Sequence, residues 1–479
     1  MLSSGHYASI VITLFLLILA GIYSTRLVKS SSDFIVGGRK LGTMMVCGGI
    51  VGAFVGGTVT IGTAQMAYQY GISGAWFTLG AGVSCLMLSF FLAGPLREKK
   101  VDTLSQFLSG FYGGAVAPRV AVFVAVGMFI QLAVQMLASA PLLTSILPVS
   151  PAAGLVLFAC FSLVLVLGGG FMSTALVGLC KLMLLTLTLF IAGAVSWSWL
   201  GGFNGISLRF AGFPWLSMYP RGVLAELAGA MSVVVGFIST QSFVQPVFAG
   251  KNIRAARMGS LMAAVAIPCF GAAGVMVGLY MRSAHPDIDP AAALPLFMLL
   301  HQPAWLGGLG VATLLASLVL TASALALGVA TLLSRDIYTL FRPAAGDKEQ
   351  LAVARLVIIG ITVSAWVFSY NILGDLILDW TYLSNALRGV TVFLPLVGAV
   401  FISHRLSARA GIWAVTVPPL SALAWALLFP HGLHPLYVGM PVSFVIMGAG
   451  ILLPRSGDRR AYPEKLPGRN PESRSQNPE

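Results

Sequence analysis

Charge is what this sequence has least of. Only 9% of its 479 residues are Asp, Glu, Lys or Arg, against about a quarter in ordinary soluble domains. That deficit excludes a water-soluble globular body, because most of the chain must lie where charge is expensive. Acidic residues are scarcest, 15 against 28 basic ones, which leaves a formal net charge of +13. A basic balance can signal nucleic acid. Here the basic residues lie between apolar runs and in the C-terminal tail, the placement of a topology signal. Cysteine is also scarce. Cys47, Cys85, Cys160, Cys180 and Cys269 fall within or beside apolar runs without metal-ligand spacing, so they read as small buried apolar residues. The six histidines, His6, His285, His301, His404, His431 and His434, fall in expected loops or at helix ends, which argues against a buried metal. With no HExxH, no nucleophile elbow and no facing carboxylates in an apolar run, the sequence is not expected to be an enzyme and calls for no organic cofactor.

What is abundant is apolar length. Hydrophobic residues make up 57% of the chain, in long runs from end to end, as in an all-α integral membrane protein. The runs predict about thirteen transmembrane helices, over 6–26, 43–70, 74–96, 119–147, 151–168, 170–200, 221–249, 258–281, 304–333, 353–373, 376–402, 410–430 and 436–453. The charged, proline-containing tail over 454–479 reads as disordered. With the N-terminus outside, 23 Lys and Arg fall in inside loops and the tail, and only Arg209, Arg221 and Arg282 fall outside. This bias predicts an inside C-terminus and a multi-pass protein of the plasma membrane, here a bacterial inner membrane. The partners expected are the lipid bilayer and a small-molecule solute. Nothing calls for nucleic acid or an obligate protein partner.

Two helices contain breaking residues. The second carries Gly48, Gly49, Gly52, Gly56, Gly57 and Gly62. The seventh carries Gly229, Gly236, the polar run Ser239-Thr240-Gln241-Ser242, and Gln245-Pro246. Such residues can serve close helix packing, or unwind the helix so that its backbone lines a cavity. Their five-helix separation predicts two inverted five-helix repeats with a site between them at mid-membrane. Thr58, Thr240, Gln241 and Gln245 are then the neutral groups placed to bind a solute; interhelical hydrogen bonding is their alternative role.

The stretch Ser32-Asp33-Phe34-Ile35-Val36-Gly37-Gly38-Arg39-Lys40-Leu41-Gly42 resembles the loop before the first core helix of the sodium:solute symporter family. The Gly-rich helix ending Ala67-Tyr68-Gln69-Tyr70-Gly71-Ile72-Ser73 is similar too. So are Gln241-Ser242-Phe243-Val244-Gln245, with Ala249-Gly250-Lys251 and Ala255-Ala256-Arg257 beyond, and Leu314-Leu315-Ala316-Ser317 through Thr321-Ala322-Ser323 to Arg335-Asp336-Ile337-Tyr338. The resemblance implies a five-plus-five inverted-repeat (leucine-transporter-like) core over 43–402, split into 43–200 and 221–402. One helix and an inside loop over 1–42 precede it, and two helices over 403–453 follow. It implies secondary active, sodium-coupled symport of a small organic solute such as a carboxylate or amino acid; the alternative is a proton-coupled or uncoupled transporter in which Lys181 replaces the sodium ion. The sodium ligands it implies are the carbonyls of Gly52, Val55 and Ser317 and the hydroxyl of Thr321, oxygen donors as a hard cation requires. Leu320 stands where a further hydroxyl is expected, and Phe54 where some members have Asp. Val177-Gly178 stands where Thr-Asp often occurs.

Two cations fall inside predicted helices. Lys181 lies about 16 Å into its helix at 1.5 Å per residue, too deep for easy snorkelling. Its ammonium is a candidate to replace the sodium ion, as in transporters of similar architecture. A lysine held out of water can give up its proton. Arg388 reads either as a structural partner of Asp379 or Glu226, or as a planar fork for a solute carboxylate or phosphate.

Overall fold

The computed structural model describes residues 3–25, 39–99, 101–403, 405–430 and 432–452. The motif over 32–38, His404, His431 and the basic tail over 454–479 lie outside the described residues. Among the described residues every regular element is helical, beyond one isolated bridge between Leu41 and Gly250. Long runs of Leu, Val, Ala and Ile leave the backbone no solvent partner in a bilayer, and a helix satisfies it within the segment.

In chain order the helices are α1 Ser4–Thr25, α2 Thr43–Phe54, α3 Thr63–Tyr70, α4 Trp76–Met87, α5 Ala93–Glu98, α6 Leu104–Tyr112, α7 Val116–Ile146 and α8 Pro151–Leu200. There follow α9 Gly202–Arg209, α10 Val223–Ile238, α11 Gln241–Ala249, α12 Ile253–Ala284, α13 Ala293–His301 and α14 Ala304–Leu332. After a short turn over Thr339–Phe341 come α15 Asp347–Asn371, α16 Ile377–Phe401, α17 Ala408–Ala414, α18 Val417–Leu428 and α19 Leu436–Leu452. Eight helical segments among the described residues are long and apolar enough to cross a membrane, or nine if α10 and α11 form one bent span. Shorter apolar helices accompany them, α2 and α19 among these.

Three departures from the sequence expectation have physical causes. The helices expected over 151–168 and 170–200 follow one another without an intervening loop in one helical segment, α8, whose apolar parts are Pro151–Leu167 and Cys180–Leu200. Fifty residues would reach about 75 Å if straight. Both ends of α8 nevertheless lie at one end of the bundle, since Leu200 packs with Ala67 and Leu279 and Pro151 closely follows the end of α7. The segment therefore turns back on itself. The span expected over 410–430 is present as Ala408–Leu428, but its helix is interrupted between α17 and α18, where Pro418 and Pro419 start a new helix. The short helices α6, α9 and α13 were not anticipated, being too brief to show an apolar run.

The centre of the bundle is α14. Within its span 94% of the most apolar window is buried, against 22% for α15. Helix α14 is apolar all round and α15 mostly faces outward, the difference expected between a central and a lipid-facing helix. One end of the bundle is tied where Lys251 N donates to Leu41 O (2.8 Å), beside the Leu41–Gly250 bridge. At the other end the Tyr68 hydroxyl donates to His285 O (2.7 Å), and Ile377 N donates to Gln65 Oε1 (3.1 Å).

Candidate cation and solute site

Helix α2 stops at Phe54, and residues 55–57 leave the helix before a π-type turn over Thr58–Gly62 leads into α3. The glycines here are obligatory. A Cβ at Gly56 would meet Gln135 Oε1 and Thr321 Oγ1 at 2.7 Å each, and one at Gly57 would collide with Leu318 and Ala138. Gln135 of α7 accepts from Gly57 N at 2.8 Å, so one orphaned donor of the break has a side-chain partner.

The second break lies at Ser239 and Thr240, where α10 and α11 meet with a bend of 41°. Ser239 Oγ donates to Val235 O (2.7 Å), and Thr240 Oγ1 to Gly236 O (2.6 Å). Hydroxyls that bond four residues back compete with the helical ladder, which is why this polar run interrupts it.

Lys181 is buried and does not snorkel. Its Nζ donates to Gly52 O at 2.8 Å, Ser317 O at 3.2 Å and Thr321 Oγ1 at 3.3 Å. These are three of the four oxygens expected to hold sodium. The fourth, Val55 O, accepts from Ser317 Oγ at 2.8 Å. An ammonium has three protons, and three acceptors surround this one. The approach is made possible by glycine on glycine. A Cβ on Gly52 would meet Gly178 Cα at 3.1 Å, so the backbone of α8 rests directly on that of α2. Lys181 lies one turn beyond Gly178. Leu320, which brings no oxygen, packs with Ala316 against Cys180 and Leu184 of the same helix.

Arg388 of α16 is fully buried. Its expected acidic partners are engaged elsewhere. Arg221 takes both, with Nε 2.9 Å from Glu226 Oε1 and Nη1 2.7 Å from Asp379 Oδ1. The reading of Arg388 as their structural partner is therefore corrected. The cause is distance along α16, since Asp379 sits more than two turns from Arg388. Instead Arg388 donates to Ser384 O (3.0 Å), Ser384 Oγ (2.9 Å), Asn385 Oδ1 (2.7 Å), Gln131 Oε1 (3.3 Å) and the Thr240 hydroxyl. Every partner is neutral. Asn385 Nδ2 and Gln135 Nε2 are buried without a partner among the described residues.

Between the breaks stands a group of aromatic rings. Phe54 lies 5.2 Å from Phe77, 4.9 Å from Phe237 and 5.1 Å from Phe243, and the Arg388 guanidinium is 6.0 Å from the Phe243 ring. Thr58 and Gln245 are buried. Gln241 is not turned to this region. Its Oε1 accepts from Leu104 N (2.9 Å) and its Nε2 donates to Asp102 O (2.9 Å), so its amide ties the start of α11 to the start of α6. Nearby, Asp336 accepts from Thr103, Ser105 and Gln106, and Arg39 pairs with Asp102 at 2.6 Å. The structure thus brings Gly52, Ser317, Thr321 and Lys181 together, groups Thr240 with Arg388, and leaves Gln241 apart. The sequence reading gave no site role to Gln131, Gln135, Asn385 or the phenylalanines. A lone amide in a strongly apolar helix was the only available signal for the first two.

Residues 34–417 match the profile of the sodium:solute symporter family. Among curated proteins, the high affinity choline transporter 1 of Homo sapiens is 24% identical over 422 residues, covering 82% of this chain and 72% of that one. Sodium/myo-inositol cotransporter 2 of Bos taurus is 23% identical over 410 residues, covering 75% and 60%. Among solved structures, a substrate-bound, outward-open Na+-coupled sialic acid symporter superposes with a TM-score of 0.77 at 17% identity, covering 94% of this chain and 97% of that one.

Proposed function

The chain belongs to the sodium:solute symporter family, and we propose that it is a secondary transporter of a small organic anion or zwitterion in which the Lys181 ammonium takes the place of the coupling sodium ion. The observation that carries this reading is the trio of oxygens around Lys181 Nζ, at 2.8, 3.2 and 3.3 Å. They come from the broken helix α2 and the central helix α14, so the ammonium clamps the two together from α8. A bound sodium ion would clamp the same pair. Loss of a proton would leave two N–H donors for the carbonyls of Gly52 and Ser317 and a lone pair that can accept from the Thr321 hydroxyl, without the charge that strengthens the three bonds of the ammonium. That weakens the clamp, and the proton departs to water. Protonation of Lys181 is thereby linked to the parting of α2 from α14.

The solute class rests on charge. Two cations, Lys181 and Arg388, are buried near the breaks with only neutral partners. A buried charge left unpaired is costly, and a solute carboxylate on the Arg388 fork offsets it. A purely cationic solute gains nothing there. In this reading the broken spans α2–α3 and α10–α11 begin two inverted five-helix repeats, 43–200 and 221–402, in a fold of thirteen crossings with the N-terminus outside.

Sodium coupling is the second reading. It is favoured by the retention of three of the expected oxygens, of Gly52, Ser317 and Thr321, around the lysine, with the fourth, Val55 O, bonded to the Ser317 hydroxyl beside them. Thermal unfolding with sodium or potassium separates the two, since a ligand of the folded state raises its apparent stability. The Lys181 reading expects no sodium-specific shift in the wild type and a new one in Lys181→Ala, where the oxygens are freed. A sodium-specific shift in the wild type, absent from Lys181→Ala, overturns it.

A further inference from the structure

We propose that the transported solute is an aromatic carboxylate, its carboxyl group held by Arg388 and its ring lodged among the phenylalanines at the two helix breaks. The inference rests on the anion reading of Arg388 above and extends it to the rest of the molecule carried.

The carboxylate end is defined by Arg388, whose guanidinium has five neutral acceptors and no acid. Beside it Asn385, only 1% exposed, keeps one amide nitrogen without a partner. A planar guanidinium and a spare amide N–H are donors suited to the two oxygens of a carboxylate.

The ring end begins one side chain away. Phe243 lies within 6.0 Å of the guanidinium carbon and meets Phe54 edge to face at 5.1 Å. Phe54 in turn stacks on Phe77 at 5.2 Å with only 15° between the ring planes, and crosses Phe237 at 4.9 Å. The four rings come from four different helices, α2, α4, α10 and α11, and they converge where two of the spans are broken. Ordinary core packing would account for any one pair. What singles out this cluster is its place, where both spans are broken and directly beside a buried arginine that has no acidic partner.

Phe54 is the element that can yield. It is the last residue of α2, and Val55 after it has left the helix at φ −76° and ψ 86°. The Phe54 carbonyl accepts from Gly56 N at 2.9 Å within the break, in place of a helical donor four residues on. A flat ring entering beside Phe77 replaces the Phe54–Phe77 stack with a stack of its own, so Phe77 keeps an aromatic neighbour. A saturated ring of equal size fills the same area without the edge-to-face and stacking geometry.

The experiment uses the full-length protein in detergent or nanodiscs, with phenylacetate and cyclohexylacetate as probes and binding read by thermal shift and isothermal titration. The variants are Phe77→Leu, Phe243→Leu and Arg388→Lys, each first shown to unfold cooperatively. The proposal expects phenylacetate to bind at least about threefold more tightly than cyclohexylacetate, the size of an aromatic pair contribution. That preference should disappear in Phe77→Leu, and Arg388→Lys should weaken both acids. Equal binding of the two acids, both still dependent on Arg388, overturns the aromatic inference and leaves the anion reading standing. An aromatic preference that survives both phenylalanine variants also overturns it. Binding of neither acid, or binding indifferent to Arg388→Lys, overturns the anion reading and the inference with it.

Discussion

Gly178 shows how much one missing side chain can decide. It touches Gly52 Cα and Gly48 O at 3.4 Å from the position its own Cβ would take, and Gly52 has only 3.1 Å to spare on the opposite side. An alanine at 178 fits that space. A valine must push α8 away from α2, and over-packing of a tight interface costs about 1–3 kcal/mol. Gly178→Val should therefore lower the melting temperature and abolish solute transport, with Gly178→Ala close to wild type in both assays. The sequence signalled Lys181 clearly, because an ionisable residue deep in an apolar run stands out. It did not signal Gly178 as a packing surface, since a glycine's packing partner comes from a distant part of the chain. The same limit hid the tie between Gln241 and the backbone of residues 102 and 104.

At the scale of elements, the broken helices were readable because their causes are local. Glycine density at residues 48–62 and hydroxyl-bearing residues at 239–242 weaken a helix wherever it packs. What completes a break is not local. Gln135 comes from α7 to satisfy Gly57 N. Gln135→Leu should leave that donor buried and unpaired, at a cost of about 1–3 kcal/mol, seen as a lower melting temperature without change in helix content. The turn back within α8 was readable as two apolar runs divided at glycines; what the sequence did not show is that no loop separates them. The connection between α18 and α19 offers a pH test outside the spans. Burial holds the His434 imidazole down at about 4, with Arg221 adding to that and Asp379 opposing it. Between its ordinary value near 6.5 and about 4 the unfolded chain binds the extra proton, so stability is full above that window and falls as pH drops through it. The melting temperature should decline over this range, and His434→Phe should flatten that part of the decline.

The whole molecule separates its charges into distinct places. Arg39, Asp102 and Asp336 lie at one end of the bundle, and Arg221, Glu226 and Asp379 at the other. Between them, Lys181 and Arg388 are held by neutral oxygens. The sequence disclosed the membrane class and the family, because composition and motif order are spread along the chain. The pairing of α2 with α8 and α14 around one ammonium required three distant segments to meet. The central claim is that this ammonium substitutes for sodium, and uptake into proteoliposomes tests it most directly. The purified protein is reconstituted with a radiolabelled carboxylate that it binds, under a sodium gradient alone or a proton gradient alone. The account predicts uptake driven by the proton gradient, indifferent to sodium, and lost in Lys181→Met. A steep sodium requirement that persists unchanged in Lys181→Met would contradict it.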